Sequence, residues 1–364
     1  MLALLPTPET FPLQPPQFSI TETLPITSNT YENALKRRIH SKTKVKPVEA
    51  VVTIAGSNFA VRGDISFISG MPKAGKSNVC RHIISTCFSD SYDARITLNI
   101  RSVSAGRKKV IYIDTEQPEP YTLGMYNKIC KSVGVADIEN FEVFNIREFT
   151  PTERQELLFD IFENATNEHL YLIDGAADFV ESINDERECN TFINALMKAA
   201  SQKYVPIILV LHENPGGGKM RGHFGSEAER KCGGTVSIKK DSAKNIHWIE
   251  PKFLRGTRDF EKQYFSWCDT EGDFVLADDT VKQIMSKQHD PEQKKYDLHL
   301  RTITQCFTTQ KELTSNDLIQ RIVMYYNPAK PISTKTASRV LKYAIEQALL
   351  IIENNIYRFT PPNL

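Results

Sequence analysis

Short apolar runs alternate with amphipathic segments between residues 49 and 233 of this chain. The apolar runs predict strands over residues 51–54, 65–69, 108–114, 140–145, 169–174 and 206–211. Apolar positions at helical spacing predict helices over residues 77–89, 152–164 and 188–202. Strands that are apolar throughout and alternate with helices are typical of a largely parallel sheet covered on both faces. We therefore expect an α/β fold.

Beyond residue 233 the pattern changes to short strands of alternating polarity. They are predicted over residues 235–239, 245–250, 264–268 and 274–277, as antiparallel hairpins that continue one edge of the sheet. A polar, charged stretch over residues 282–295 then separates a C-terminal unit. We expect a proline-rich tail and basic arm over residues 1–48, an α/β domain over 49–281 and a C-terminal domain over 292–364. The cations of residues 36–46 are typical of a solvated linker, with contact to a phosphate backbone as the alternative.

The C-terminal pattern predicts three helices, over residues 293–307, 315–326 and 333–347, followed by a hairpin of residues 349–353 and 356–360. This order is that of a winged-helix domain. Lys335, Arg339 and Lys342 lie on one face of the third helix, as duplex DNA contact requires. A solvated face is an equal alternative, and winged helices also bind proteins.

A complete G-x-x-x-x-G-K-S phosphate-binding loop follows the strand of residues 65–69. Its residues are Gly70, Met71, Pro72, Lys73, Ala74, Gly75, Lys76 and Ser77, and Asn78 comes next. Glycines let backbone N–H groups face phosphates, and the helix that begins near Lys76 directs its positive end at the same anion. We expect Lys76 to contact the β- and γ-phosphates of a nucleotide and Ser77 to bind Mg²⁺. An ordinary surface loop is the alternative.

Three other predicted strands end in polar residues that could complete a hydrolytic site. Asp174 follows an apolar strand and would bind Mg²⁺ with Ser77, unless it only caps the next turn. Glu116 lies just beyond a second strand, where a base could orient water, and Asp114 competes for that role. His212 ends a third strand and could sense the γ-phosphate, with a structural histidine as the alternative.

Two basic segments lie downstream of these strands. Residues 215–226 are rich in glycine and carry Lys219, Arg221 and His223, which predicts a mobile loop. With the nearby cations Arg230, Lys231, Lys239 and Lys240, this loop is the candidate contact for single-stranded DNA. A flexible solvated loop is the alternative.

The second basic segment, residues 252–258, lies between two late strands. Arg255, ahead of Arg258, could act as an arginine finger on the nucleotide of a neighbouring subunit. A plain turn with surface cations is an equal alternative.

Composition adds only a little information about partners and cellular compartment. The 364 residues carry a formal net charge of +1, so any nucleic-acid contact has to come from local patches. The seven cysteines include no C-x-x-C pair, which indicates reduced thiols in the cytosol. No apolar stretch approaches the ~18 residues of a membrane span, and the apolar start lacks a basic n-region. We expect a soluble cytoplasmic protein without a membrane partner.

These motifs, in this order, resemble the RecA/DnaB-type P-loop ATPases. The resemblance covers residues 49 to 280 and is closest to the RepA-like hexameric helicases and related ATPases of bacterial mobile elements, especially in Bacteroides-type hosts. It implies a RecA-like core that binds ATP and Mg²⁺, with Glu116 as catalytic base and His212 as sensor. It also implies a loop of residues 219–225 that links nucleotide state to DNA, and a ring of identical subunits, such as a hexamer. Family members usually carry Lys-x-Arg at the finger, whereas this chain has Lys252-x-x-Arg255.

The function that this resemblance implies is ATP-driven work on DNA in replication, transfer or transposition of a mobile element. Two other functions stay open. One is a recombination or repair ATPase that remodels strands without translocating, and the other is a regulator whose DNA binding is gated by ATP. A metabolic kinase is disfavoured by the basic loop and the appended C-terminal unit.

Overall fold

The computed structural model describes residues 28–214, 219–289, 291–353 and 355–361. The chain divides into two units, Met1–Val48 and Glu49–Leu364. In the first unit, a helix α1 spans Ser28–Leu35. The remaining elements all belong to the second unit. None of the helices in the described ranges is long and apolar enough to cross a membrane.

The strands of the second unit form three sheets. They are β1 (Ala50–Ile54), β2 (Ser57–Val61), β3 (Ile65–Gly70), β4 (Ile100–Ser102), β5 (Lys109–Asp114), β6 (Phe141–Asn145), β7 (Glu168–Asp174), β8 (Ile207–His212), β9 (Gly234–Asp241), β10 (Ile246–Leu254), β11 (Gln263–Cys268), β12 (Asp273–Leu276), β13 (Leu313–Thr314), β14 (Leu350–Glu353) and β15 (Ile356–Phe359).

The helices of the second unit cover the sheets. They are α2 (Lys76–Phe88), α3 (Glu119–Val133), α4 (Pro151–Asn164), α5 (Glu186–Lys203), α6 (Gly222–Lys231), α7 (Asp279–His289), α8 (Pro291–Cys306), α9 (Ser315–Tyr326) and α10 (Thr334–Glu346), with a 3₁₀ turn at Ala176–Phe179.

The central sheet has nine strands in the order β12-β11-β10-β9-β3-β8-β7-β5-β6. The strands from β9 to β6 run parallel, and β10, β11 and β12 continue the edge as antiparallel strands. Strand β8 lies between β3 and β7, so the carboxyl ends of β3, β8, β7 and β5 meet at one edge of the sheet. The predicted α/β class, with a mainly parallel sheet and antiparallel edge hairpins, is confirmed.

The parallel strands are buried on both faces, which explains their continuous apolar sequences. In β3, Ile68 packs into a core with α2 and α3, whereas Phe67 points to the opposite face and packs with α4, α5 and α6. This alternation follows from the two-residue period of a strand. A three-stranded sheet in the order β2-β1-β4 adds its apolar face to the core on the α2 side. The sheet edge that carries the predicted site is thus held from both faces.

The C-terminal elements form a separate core of their own. Strands β13, β15 and β14 make a small antiparallel sheet, against which helices α8, α9 and α10 pack. Side chains cap two of these helices: Thr314 Oγ1 accepts from Asp317 N, and Ser333 Oγ accepts from Thr336 N. The observed order of three helices and a terminal hairpin follows the sequence prediction, with the short strand β13 added.

Strands β2 and β4 were not predicted, and three further segments differ from the sequence predictions. Helix α3 was not predicted, because Pro118, Pro120 and Gly124 dilute its apolar pattern. The charged stretch 282–295, expected to separate the C-terminal unit, is helical over its described residues, 282–289 in α7 and 291–295 in α8, and Met285 of α7 is buried against Trp248 and Tyr264. The third difference concerns residues 219–226, predicted as a mobile loop, and is described with the site.

Candidate functional site

The phosphate-binding loop has the backbone that its sequence predicts. Gly75 has φ 102°, a left-handed conformation that favours glycine, and it immediately precedes α2. A Cβ on Gly70 would lie 2.5 Å from the carbonyl oxygen of Ile238 on the neighbouring β9, so only glycine fits there. Exposed Lys73 also has a positive φ, 62°, which gives the loop an unusual cation at its rim. The N-terminus of α2 thus faces an anion-sized opening.

Lys76 is folded back onto this loop. Its ammonium donates to the carbonyl oxygens of Gly70 and Met71, both at 3.2 Å, and lies 3.1 Å from His212 Nδ1. Burial lowers the pKa of Lys76, and the nearby charges of Glu116 and Asp174 oppose that shift. A buried ammonium with only neutral direct partners is well placed to accept a phosphate.

Asp174 and Ser77 lie next to each other on β7 and α2. Ser77 Oγ donates to Asp174 Oδ2 at 3.2 Å, and Tyr112 of β5 donates to the same oxygen at 3.1 Å. Burial, with the charges of Glu116 and Asp114, raises the pKa of Asp174 to about 7, and the two hydrogen bonds only partly oppose this. A buried carboxyl without a cationic contact at neutral pH gains most from a bound cation.

A magnesium ion fits this pair of oxygen ligands. Mg²⁺ is bound in proteins by one or two carboxylates together with substrate phosphates and water. Among the described residues, no group of three or more His, Cys, Asp or Glu side chains could hold a metal alone. Ser77 and Asp174 would therefore hold the ion only together with a bound nucleotide.

Glu116 and His212 form the other side of the cavity. The Lys76 ammonium can only donate, so His212 Nδ1 accepts from it and Nε2 carries the proton. Nε2 then donates toward Glu116 Oε1 at 3.3 Å, and this hydrogen bond holds the pKa of Glu116 below its usual value despite burial. Lys76, His212 and Glu116 are thus joined in one chain of polar contacts.

Asp114, the competitor for the role of base, is fully buried and has other partners. One carboxylate oxygen accepts from the backbone N–H groups of Glu116 and Gln117, both at 3.0 Å, and the other accepts from Thr122 at 2.7 Å. These bonds fix the turn that carries Glu116. The geometry favours Glu116, whose side chain is about one-third exposed to the cavity, over Asp114 as the base.

Lys76, Ser77, Glu116, Asp174 and His212 line a cavity of about 600 Å³. Its far wall consists of residues that the sequence analysis did not assign to the site, Asn245, His247 and Phe274, and of Lys240. His247 supports the loop directly, because its Nδ1 lies 2.7 Å from the carbonyl oxygen of Ala74. His247 and Phe274 come from the antiparallel strands β10 and β12, Lys240 from β9, and Asn245 from the turn between β9 and β10, and no local motif marks them.

Glu213, directly after His212, is a further residue that the sequence analysis did not assign to the site. Its carboxylate is buried, accepts from Ser69 at 2.8 Å and Ser237 at 2.7 Å, and pairs with Lys239 and Lys252 at 3.1 and 2.9 Å. Burial would raise the pKa of Glu213, but the bonds from Ser237, Lys252 and Ser69 outweigh it and lower the pKa to about 2. Lys252 and Lys239 therefore serve this internal network.

The prediction of a mobile loop is wrong for residues 219–226. Residues 215–218 lie outside the described residues, but Met220 and Phe224 are buried in the core. Burial of such side chains contributes about 1.5–3 kcal/mol each. A Cβ on Gly225 would lie about 2.5 Å from the Met220 backbone, so this glycine permits close packing. Helix α6 begins at Gly222 for this tertiary reason.

The candidate DNA-binding cations of this region form two groups, with Lys240 separate from both. Lys219, Arg221 and His223 are exposed, and the Arg221 N–H donates to the His212 carbonyl oxygen at 3.0 Å. The others, at positions 230, 231 and 239, pair with carboxylates: Arg230 and Lys231 with Glu227, and Lys239 with Glu213. Lys240 is exposed at the cavity wall. The first group is the better candidate for a ligand.

Arg255 lies at the opposite end of the sheet from the phosphate loop. Its N–H donates to Gly233, whose own N–H donates to Ile65 at the start of β3. The guanidinium is more than half exposed, donates to the carbonyl oxygen of Cys232 at 3.2 Å and lies 3.9 Å from Asp64. Arg258 is exposed as well. Neither arginine belongs to the cavity of its own chain.

The three cations of α10 are exposed on one side of that helix. Lys335, Arg339 and Lys342 lie opposite its buried face, and Lys342 makes a loose ion pair with Glu346 at 3.8 Å. Such an exposed pair contributes little to stability. All three side chains are accessible to a partner.

Comparison with known proteins adds little to this geometry. No protein-family model and no curated protein matches the chain. Among solved structures, the crystal structure of the RadB recombinase covers 61% of this chain and 93% of its own, at 16% sequence identity and a TM-score of 0.43. So remote a likeness leaves the geometry of the site as the basis for a function.

Proposed function

We propose that this chain is a RecA-like, Mg²⁺-dependent ATPase that works on DNA, as a RepA/DnaB-like helicase or motor of a mobile element. The observation that carries the proposal is the convergence of Lys76, Ser77, Asp174, Glu116 and His212 on one cavity. These groups come from three neighbouring strand ends, those of β8, β7 and β5, and from helix α2 that follows the loop. They match the parts that phosphoryl transfer to water requires.

In this proposal, the loop amides and Lys76 bind the triphosphate. Lys76 exchanges its contacts with Gly70, Met71 and His212 for the β- and γ-phosphates. When bound between Ser77 and Asp174, Mg²⁺ would neutralise charge that develops on the phosphate oxygens. Asp174 would lose its proton to serve as a ligand, since its pKa is raised to about 7 without a cation.

Glu116 would orient the attacking water and accept its proton. In the nucleotide-free arrangement its Oε1 faces His212, 3.3 Å away. When Lys76 moves to the phosphates, His212 Nδ1 loses its donor and the ring is free to turn toward the γ-phosphate. That turn would release Glu116 for water, so His212 couples nucleotide occupancy to the state of the base.

The same strand would carry the signal toward DNA. The His212 carbonyl oxygen accepts from Arg221, and Asn214 N donates to the Lys219 carbonyl oxygen at 3.0 Å. A rotation at the end of β8 would therefore displace Lys219 and Arg221, which with His223 would contact the phosphates of single-stranded DNA. This short connection supports the coupling of hydrolysis to DNA.

Assembly would complete the site. Arg255 is exposed at the sheet end opposite the phosphate loop, so it could reach a nucleotide only in a neighbouring subunit. A ring of identical subunits, such as a hexamer, would bring this end of one subunit to the loop of the next. Hydrolysis would then depend on assembly.

The C-terminal unit would serve as a winged-helix domain that docks on duplex DNA. Its three helices and terminal hairpin support this assignment, and the exposed cations of α10 support DNA as the ligand. Protein docking by the same unit is an alternative, because winged helices also bind proteins.

The experiment that tests the proposal is steady-state ATP hydrolysis with and without single-stranded DNA. A DNA-activated ATPase that also unwinds a forked duplex supports the motor. Activation without unwinding supports the recombination or repair alternative, and slow turnover that ignores DNA supports the ATP-gated regulator. Absence of hydrolysis in a nucleotide-binding preparation, with and without DNA, contradicts all three.

A further inference from the structure

A second, smaller cavity lies beside α2, further along the helix than the phosphate loop. Its volume is about 170 Å³. One wall is the α2 face that carries Arg81, His82 and Ser85, and the others come from the segment 89–97, the end of α3 and the start of β12. Segments from four parts of the sequence thus enclose a pocket that the ATPase mechanism does not use.

Three polar atoms on the α2 wall are buried and, within the described part of the chain, have no hydrogen-bond partner. They are Arg81 Nε, His82 Nε2 and Ser85 Oγ. Arg81 and His82 are each only 4% exposed. A buried donor or acceptor without a partner destabilises the fold. Three of them on one wall are therefore costly unless a bound molecule or water satisfies them.

The charge of this pocket is balanced before any ligand binds. Arg81 donates through Nη2 to Asp273 and through Nη1 to Ser132 Oγ at 3.3 Å, and its Nε is a buried guanidinium nitrogen without a partner among the described residues. Asp93 adds a second carboxylate to the lining. An anion would therefore meet two carboxylates, which disfavours phosphate despite the arginine.

His82 contributes an acceptor to the pocket. Its Nδ1 lies 2.7 Å from the Asn78 carbonyl oxygen, which can only accept, so Nδ1 carries the proton of the neutral ring. Burial, with the charge of Arg81, lowers the pKa of His82 to about 4. The backbone groups of Asn78 and Phe274 oppose this lowering only in part. With the proton on Nδ1, Nε2 presents a lone pair, the neighbouring Arg81 Nε–H is a donor, and the Ser85 hydroxyl can both donate and accept.

We propose that this pocket binds a small neutral polyhydroxylated molecule, about the size of a pentose. A hydroxyl group both donates and accepts, so neighbouring hydroxyls on one ligand would satisfy His82 Nε2, Arg81 Nε and Ser85 Oγ together. Serine and threonine hydroxyls of residues 86, 89, 91, 97 and 132 surround the same space. Cavities of about 150 Å³ admit a six-membered ring, so 170 Å³ is sufficient.

The test is thermal unfolding of the full chain without nucleotide, so its outcome does not depend on the proposed ATPase activity. The probes are glycerol, D-ribose and myo-inositol, with sodium phosphate as the anionic comparison. We expect a rise in Tm with at least one of the three polyols that follows the logarithmic dependence of a saturable site, RT ln(1 + [L]/Kd). Excluded polyols also stabilise proteins, but their effect grows in proportion to concentration.

Two variants distinguish a site from a hydrated cavity. Ser85→Ala removes one hydroxyl and should weaken probe binding about 5- to 10-fold, the effect of one hydrogen bond. Ser85→Leu should fill the pocket and abolish saturable binding, whereas Ser338→Leu, at an exposed serine of α10, should leave it unchanged. No saturable binding of any polyol, saturation by phosphate alone, or unchanged affinity in Ser85→Ala would each overturn the proposal.

Discussion

Replacing Asp174 with asparagine should stabilise the nucleotide-free protein while it abolishes hydrolysis. The carboxyl is buried, its pKa is raised from 3.8 to about 7, and its direct hydrogen-bond partners are the hydroxyls of Tyr112 and Ser77. A shift of about three units corresponds to about 4 kcal/mol at 1.36 kcal/mol per unit. Relaxation around the site lowers this figure, so we expect Asp174→Asn to gain about 2–4 kcal/mol at pH 8.

The pH dependence gives this prediction its sign. Because the folded state binds the Asp174 proton more tightly than the unfolded chain, wild-type stability falls as pH rises from about 4 to about 7 and is level above that. The advantage of Asp174→Asn should therefore grow over this window. Urea unfolding at pH 5 and pH 8, without nucleotide or Mg²⁺, measures it.

Asp114→Asn is the matched control, one strand away. Asp114 accepts three hydrogen bonds, from Glu116 N, Gln117 N and Thr122. An amide in its place removes the acceptor of the Thr122 hydroxyl and weakens the two backbone bonds, which should destabilise the fold by about 1–3 kcal/mol. Two results would refute the claim that Asp174 is a buried carboxyl whose pKa is raised because no cation is bound. One is a lower free energy of unfolding for Asp174→Asn than for wild type at pH 8. The other is a difference in unfolding free energy between the two proteins that does not change from pH 5 to pH 8.

Three further predictions concern the base, the internal network and the C-terminal unit. Glu116→Gln should bind ATP with wild-type affinity but hydrolyse it at least about 100-fold more slowly, and equal turnover in single-round assays would exclude Glu116 as the base. Glu213→Ala should cost about 3–5 kcal/mol in urea unfolding at pH 7, because Lys239 and Lys252 lose their buried partner, and much less at pH 2, where the wild-type carboxylate is itself being protonated. Removing the exposed Glu271 is its control. Reversing the charges of Lys335, Arg339 and Lys342 should weaken duplex DNA binding and flatten its salt dependence, measured by fluorescence anisotropy from about 50 to 200 mM salt. Reversal of the exposed Lys311 and Lys330 should have little effect, and unchanged affinity in the first variant would exclude α10 as the contact.

The sequence predicts the sheet edge that carries the candidate site well, because the residues at that edge follow local patterns. A phosphate loop needs glycine at positions such as Gly75, and parallel strands need continuous apolar runs. Once the strands are parallel, their polar ends at Glu116, Asp174 and His212 must share one edge of the sheet. Topology therefore supplies the convergence without any knowledge of side-chain contacts.

The segment after β8 could not be predicted in the same way. Five glycines and three basic residues over residues 216–225 are typical of a loop, yet Met220 and Phe224 complete the core between α5 and the sheet. The free energy gained by burying these two side chains exceeds the cost of placing glycine in a helix, which is about 1 kcal/mol per residue relative to alanine. The ion pairs of Glu213 could not be predicted for a related reason, because its lysine partners come from β9 and β10, which are distant in sequence.

The most direct test of the central claim is phosphate release from Mg²⁺-ATP by the purified chain and its Lys76→Ala variant. The Lys76 ammonium contacts the loop and His212 inside the cavity, near the charge of Glu116. The account predicts turnover by the wild-type chain that requires Mg²⁺ and falls at least about 100-fold in Lys76→Ala, with the fold intact. Equal phosphate release by the two proteins would contradict it.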